Sequence, residues 1–210
     1  MADNTSRMIS LLGALRREMN GAVADAMSYY GTRYGLNYGV SLPTIRSIAA
    51  KEERSTSLAL YLYKQDVREL RLAALHIAEP QDFAADEDIW MDGISTSEIA
   101  EEMAFALLRH IDNLPALYRR WSRSDKELQA YAVVMAAARS TMADNEDMIE
   151  LLPEIVAQHP TSRLIAQGAV ALLSATLNTQ PSDKIKALLE KLPPNSTTEY
   201  INDEMAWRME

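Results

Sequence analysis

The stretch DGISTSEIAEEMAF, residues 92–105, gathers three carboxylates, Glu98, Glu101 and Glu102, into the opening turns of a helical pattern. Carboxylates at this spacing have two physical uses. One is chemical: a fixed negative charge can stabilise positive charge that develops on a bound molecule during bond cleavage. The other is structural: Glu98 stands at capping-box spacing from Ser95, while Glu101 and Glu102 meet the positive end of the helix dipole. Few other positions offer chemistry. The chain has no cysteine, which excludes disulfides, thiolate metal sites and cysteine nucleophiles, and its three histidines are scattered at 76, 110 and 159. The sequence therefore predicts no metal site and no cofactor.

Two further constellations could hold a ligand. Tyr29, Tyr30, Tyr34 and Tyr38 crowd one short segment, and Tyr30 and Tyr34, four apart, would stack on one helix face as a platform for a base or sugar. Rings of this kind also cover cores with their hydroxyls reaching water. Arg46, Arg71, Arg119, Arg120 and Arg123 are candidates to hold phosphate, and Arg120 and Arg123 share a face if their helix continues that far. The competing role for Arg71 is an ion pair with a carboxylate such as Glu69, tying one structural unit to the next.

These side chains must be positioned by helices. Apolar residues recur at helical spacing almost throughout, as in Met8, Leu11, Leu12 and Leu15, and no alternating strand pattern is found. Pro43, Pro80, Pro115, Pro153 and Pro193 are separated by 37, 35, 38 and 40 residues, a period that fits helical-pair repeats of the HEAT or armadillo kind. The expected class is an all-α helical-repeat solenoid, one domain over residues 1–210, whose second helices line a concave binding surface. Helices are predicted near 4–19, 21–33, 42–52, 55–63, 66–78, 86–92, 96–110, 114–122, 125–140, 145–158, 161–177, 182–191 and 197–208, with Met205 and Trp207 packing the last one down.

The net charge is −9 with 48% hydrophobic and 24% charged residues, and no apolar run is long enough to span a membrane. A cytoplasmic location is expected. The charge is uneven: residues 1–78 carry 10 basic and 7 acidic side chains, 79–112 carry 1 and 10, 113–139 carry 5 and 2, and 140–210 carry 5 and 11. An anion could be held along one face despite the overall sign.

Three collinear stretches resemble the AlkD-like DNA alkylation repair proteins. YGTRYGLNYGVSLPTIRSIAAKE, residues 30–52, is similar to the family's entry signature through Gly39, Val40, Pro43 and Arg46. VRELRLAALHI, residues 67–77, resembles its Glu-x-Arg helix through Glu69 and Arg71, and LYRRWSRSDKELQAYAVV, residues 117–134, resembles a helix-to-helix passage through Trp121, Arg123, Ser124 and Asp125. The resemblance implies a HEAT-like array that binds double-stranded DNA with alkylated bases and excises them by N-glycosidic hydrolysis. It places the catalytic acid at Glu101; on this reading Arg46, Arg71, Arg120, Arg123, Tyr30 and Tyr34 are the candidate DNA contacts. Ser97 stands where the family's motif has tryptophan, Gln129 and Ala130 stand in place of paired arginines, and Leu172 stands near a second tryptophan. These departures, with the −9 charge, support an alternative: a non-catalytic scaffold whose surface holds a protein or peptide.

Overall fold

The computed structural model describes residues 3–140 and 145–209. Within them the chain is helical, with one isolated parallel bridge between Leu36 and Val67. It divides into two compact units, residues 1–102 and 103–210.

The N-terminal unit contains α1 (Asn4–Arg17), α2 (Gly21–Tyr29), α3 (Leu42–Ala49), α4 (Thr56–Tyr63), α5 (Arg68–Ile77), a 3-10 turn (Pro80–Asp86), α6 (Glu87–Asp92) and the opening of α7 (Ser97–Ala106). Short polar side chains start four of these helices. Asp3, Asn20, Ser41 and Ser55 each accept a hydrogen bond from a backbone N–H two or three residues on, satisfying donors that the first turn leaves without partners. The centre of the unit is α5, which buries Leu70, Leu72, Ala73, Ala74, Leu75 and Ile77 and packs against α4 and α3. With eight of its ten residues buried, Arg68 and Glu69 among them, it lies inside the unit. By contrast α2 buries none of its residues.

The C-terminal unit contains the rest of α7, a 3-10 turn (Leu108–His110), α8 (Leu114–Trp121), α9 (Glu127–Arg139), α10 (Asn145–Ile149), α11 (Leu152–Gln158), α12 (Arg163–Leu177), α13 (Ser182–Leu189) and α14 (Ser196–Arg208). Its core is the pair α9 and α12, which make close contact where Gly168 replaces a side chain: a Cβ there would sit 3.1 Å from Val134 Cγ1 and 3.3 Å from Tyr131 Cδ2. On the other side α12 carries α14 through Ile201 and Met205.

The proline period marks real joints. Pro43, Pro115 and Pro153 lie in the first turns of α3, α8 and α11, Pro80 opens a 3-10 turn, and Pro193 lies in the connection before α14. Several boundaries differ from expectation. The helix expected over 21–33 stops at Tyr29 because Gly31 turns the chain with φ +86°. That over 145–158 breaks between α10 and α11, just ahead of Pro153, and that over 96–110 tightens into a 3-10 turn after Leu107. Met205 is buried as expected, but Trp207 is 79% exposed.

Gly39 holds φ +69°, and a Cβ on it would fall 2.1 Å from the carbonyl oxygen of Asn20. Gly39→Ala should therefore lower stability by about 1–3 kcal/mol. Gly21→Ala, in the first turn of α2 with nothing within 4 Å of the added carbon, should leave stability unchanged or slightly raised. Urea unfolding of the two variants beside the parent chain measures the contrast.

Candidate functional site

The three carboxylates of α7 part company in the fold. Thr96 caps the helix, its Oγ1 accepting from the Ile99 N–H at 3.2 Å, so Ser95 is not the cap that the spacing suggested. Glu98 is drawn instead to Arg68, whose Nε donates to its Oε2 at 2.7 Å and whose Nη2 donates to its Oε1. The Tyr34 hydroxyl donates to the same Oε2 at 2.6 Å. Burial, reinforced by this bond, pushes the Tyr34 hydroxyl well above its ordinary range, so it remains a donor.

Arg68 is buried and also donates to the Val40 carbonyl at 2.8 Å and to Glu69 Oε1 at 3.1 Å. Glu69, wholly buried, accepts from the Tyr38 N–H at 3.1 Å and from the Val40 N–H at 3.2 Å. One guanidinium and two carboxylates thus hold the segment 34–40 against α5 and α7. Sequence reasoning passed over Arg68. The signal was present in VRELR: it stands directly beside Glu69, on a helix whose neighbours are nearly all apolar.

Glu102, 2% exposed, takes Arg46 in a two-pronged grip, Nε to Oε1 at 2.8 Å and Nη2 to Oε2 at 2.6 Å, and bonds His76 Nε2 as well. Burial alone would raise its pKa. The bonds from Arg46 and His76 outweigh burial and bring it down to about 2.

Glu101 is exposed. Of the residues proposed for phosphate, Arg46 is committed to Glu102, and Arg71 donates to the Gln65 carbonyl at 2.8 Å and lies 3.5 Å from Asp66. Arg119 and Arg123 face Asp147 and Glu154, and Arg120 is exposed. α8 ends at Trp121, so Arg123 lies beyond the helix and does not share a face with Arg120. Nor do Tyr30 and Tyr34: Tyr30 is 82% exposed beyond α2, and Tyr34 is drawn inward to Glu98.

The rings that do meet are Tyr29 and Tyr30, centroids 5.2 Å apart and planes at 85°, exposed by 84% and 82%. Arg16 and Arg17, in the last turn of α1, precede α2, and Arg33 follows it. All three are exposed, and none has a carboxylate partner among the described residues. The Arg16 guanidinium lies over the Tyr38 ring, 5.8 Å from its centroid. Ala130 and Leu172 are core residues here, and Gln129 is buried, accepting from the Ser124 hydroxyl. Trp90 and Trp121 are buried as well. Among the described residues no group of three His, Cys, Asp or Glu side chains could hold a metal ion, and no helix is long and apolar enough to cross a membrane.

Comparison with known proteins gives this geometry a setting. The family described as DNA alkylation repair enzyme matches residues 11–196. Among solved structures the chain is similar to one described as belonging to a new family of proteins related to the HEAT-like repeat DNA glycosylases with affinity for branched DNA structures. The TM-score is 0.72, with 17% identity over 94% of this chain and 93% of that one. The fold is thus the HEAT-like helical repeat that the proline period predicted. No curated protein matches.

The Glu102 cluster makes stability depend on pH with a definite sign. A carboxyl whose folded pKa is depressed stabilises the fold fully above its unfolded value, ordinarily 4.5, and loses that contribution as pH falls toward about 2. Glu102→Gln should cost on the order of 3 kcal/mol at neutral pH and flatten the stability profile between those two values. Guanidinium unfolding at a series of pH values checks both.

Proposed function

This chain belongs to the DNA alkylation repair enzyme family, and we propose that it binds DNA through α2 and the segments flanking it, at places where bases have lost their normal stacking. The observation that carries this reading is the exposed Tyr29 and Tyr30 pair at the end of a helix none of whose residues is fully buried. A pair of aromatic rings left in water costs free energy unless a partner covers it, and base faces are such a partner, each stacked base contributing about 1–3 kcal/mol. Arg16, Arg17 and Arg33 supply the charge that meets phosphate. Alkylated duplex and branched DNA both offer disturbed stacking. Tyr34, Arg46 and Arg71 act here as positioning residues, since each is held by groups of the protein itself.

A second reading, excision of the alkylated base, is favoured by Glu101. Glu101 lies on the exposed part of α7, where a bound sugar could reach its carboxylate. A purine alkylated at N3 or N7 is already cationic, so it leaves with the electron pair of the N-glycosidic bond as a neutral base and needs no protonation. Glu101 would stabilise the oxocarbenium ion until water adds at the anomeric carbon.

Anisotropy titrations of a labelled duplex and a labelled branched DNA at several salt concentrations test the binding. Three phosphate contacts should give a log–log salt slope of about −3, and Tyr30→Ala should weaken the branched substrate by about 5- to 100-fold while moving intact duplex less. No binding at low salt would favour the protein or peptide scaffold. Release of methylated purines by the parent chain and not by Glu101→Gln would establish excision; equal release, or none, removes it.

A further inference from the structure

At the end of α8 the C-terminal unit presents two cations, each already facing an anion. The Arg119 Nη2 is 3.5 Å from Asp147 Oδ2 on α10, and Arg123 Nε donates to Glu154 Oε1 on α11 at 3.1 Å. All four side chains are well exposed, Arg119 and Asp147 by 56% and 74%, Arg123 and Glu154 by 55% and 47%. Ion pairs this open contribute little to holding a fold together. Nor do the two acids need their arginines for placement. Met148 and Ile149 anchor α10 in the core, and Leu152, Ile155 and Val156 anchor α11. Arg119 and Asp147 both line a small cleft of about 70 Å³, shared with Pro115, Tyr118, Met148 and Leu151, so α8 and α10 are not fully packed together at this pair.

Carboxylates fixed by apolar packing and set over accessible guanidinium groups stand where phosphates would stand. We propose that Asp147 and Glu154 act as an internal substitute for nucleic-acid phosphate, masking Arg119 and Arg123 so that DNA must displace them to engage this face. The proposal rests on the DNA-binding reading above and adds to it an autoinhibitory contact. Its physical content is competition. A backbone phosphate gains the arginine only by releasing a carboxylate, which lowers affinity for any DNA and leaves the arginines to substrates that bring phosphate close to both.

The test compares the parent chain with Asp147→Asn/Glu154→Gln in anisotropy titrations of one labelled duplex at low and moderate salt. Unmasking should tighten binding by about 2- to 20-fold at low salt, with the gain shrinking as salt rises. Two controls isolate the cause. Glu190→Gln/Asp203→Asn removes the same net charge from other exposed positions in this unit and should give a clearly smaller gain. Adding Arg119→Ala/Arg123→Ala to the unmasked variant should abolish the gain. Thermal unfolding of each variant confirms that the fold is retained. Equal gains in the charge-matched control, a gain that survives loss of the arginines, or no gain at all would overturn the mask while leaving DNA binding intact. If neither parent nor unmasked variant binds at low salt, the DNA-binding reading falls and the mask falls with it.

Discussion

A charged group taken out of water must find compensation nearby or lose its charge, and the N-terminal unit is arranged around one such demand. The guanidinium of Arg68 is buried beside two carboxylates, one of them wholly buried, and a backbone carbonyl. Each contact draws in a different part of the chain: Glu69 is its neighbour on α5, Glu98 begins α7, and Val40 belongs to the loop after α2. The cost of burial is met only while all of them stay in place. Removing the guanidinium would strand Glu69 without its cation, still accepting from the Tyr38 and Val40 N–H groups but carrying an uncompensated charge. The position of α7 and the path of the segment around Gly39 both depend on that one centre of charge.

This dependence divides the work among the acids of α7. Glu98 and Glu102 are four residues apart and lie on one helical face, which turns to Arg68 and Arg46. Glu101 is one residue short of Glu102 and therefore rotated by about 100° around the axis. It is the exposed member of the three. The inward pair fixes the helix on which the outward acid stands. In the proposed excision, the structural and functional readings of DGISTSEIAEEMAF would apply to different residues of the same two turns.

What the sequence revealed and what it concealed follow from range. Helix starts were legible because a cap such as Ser41 or Ser55 bonds a backbone N–H three residues away, and the proline period was legible because proline acts on its own φ and its own missing N–H. Side-chain pairing was not. Arg46 and Glu102 are 56 positions apart, Tyr34 and Glu98 are 64 apart, and nothing local distinguishes them from solvated charges. Local reasoning even misled where two partners competed: Glu98 has capping-box spacing from Ser95, yet a buried guanidinium attracts a carboxylate more strongly than a solvated turn does. Tyr30 and Tyr34 failed to share a face for a simpler reason, since the positive φ of Gly31 ends the helix between them.

The sign of the whole protein is also a poor guide to any one of its faces. A net charge of −9 opposes nucleic acid at long range, but screening confines such effects to about 10 Å at ordinary salt. Within that distance, what counts is whether a given arginine already faces a carboxylate. Arg46, Arg68 and Arg123 do; Arg16, Arg17 and Arg33 do not, among the described residues. Three such cations alone would not hold regular duplex tightly by charge. In the proposed function, stacking by Tyr29 and Tyr30 would supply the remainder, since intact duplex offers base faces only at its ends. On the proposed function, weak charge combined with exposed aromatic rings would favour disturbed DNA, because only there would both contributions operate together.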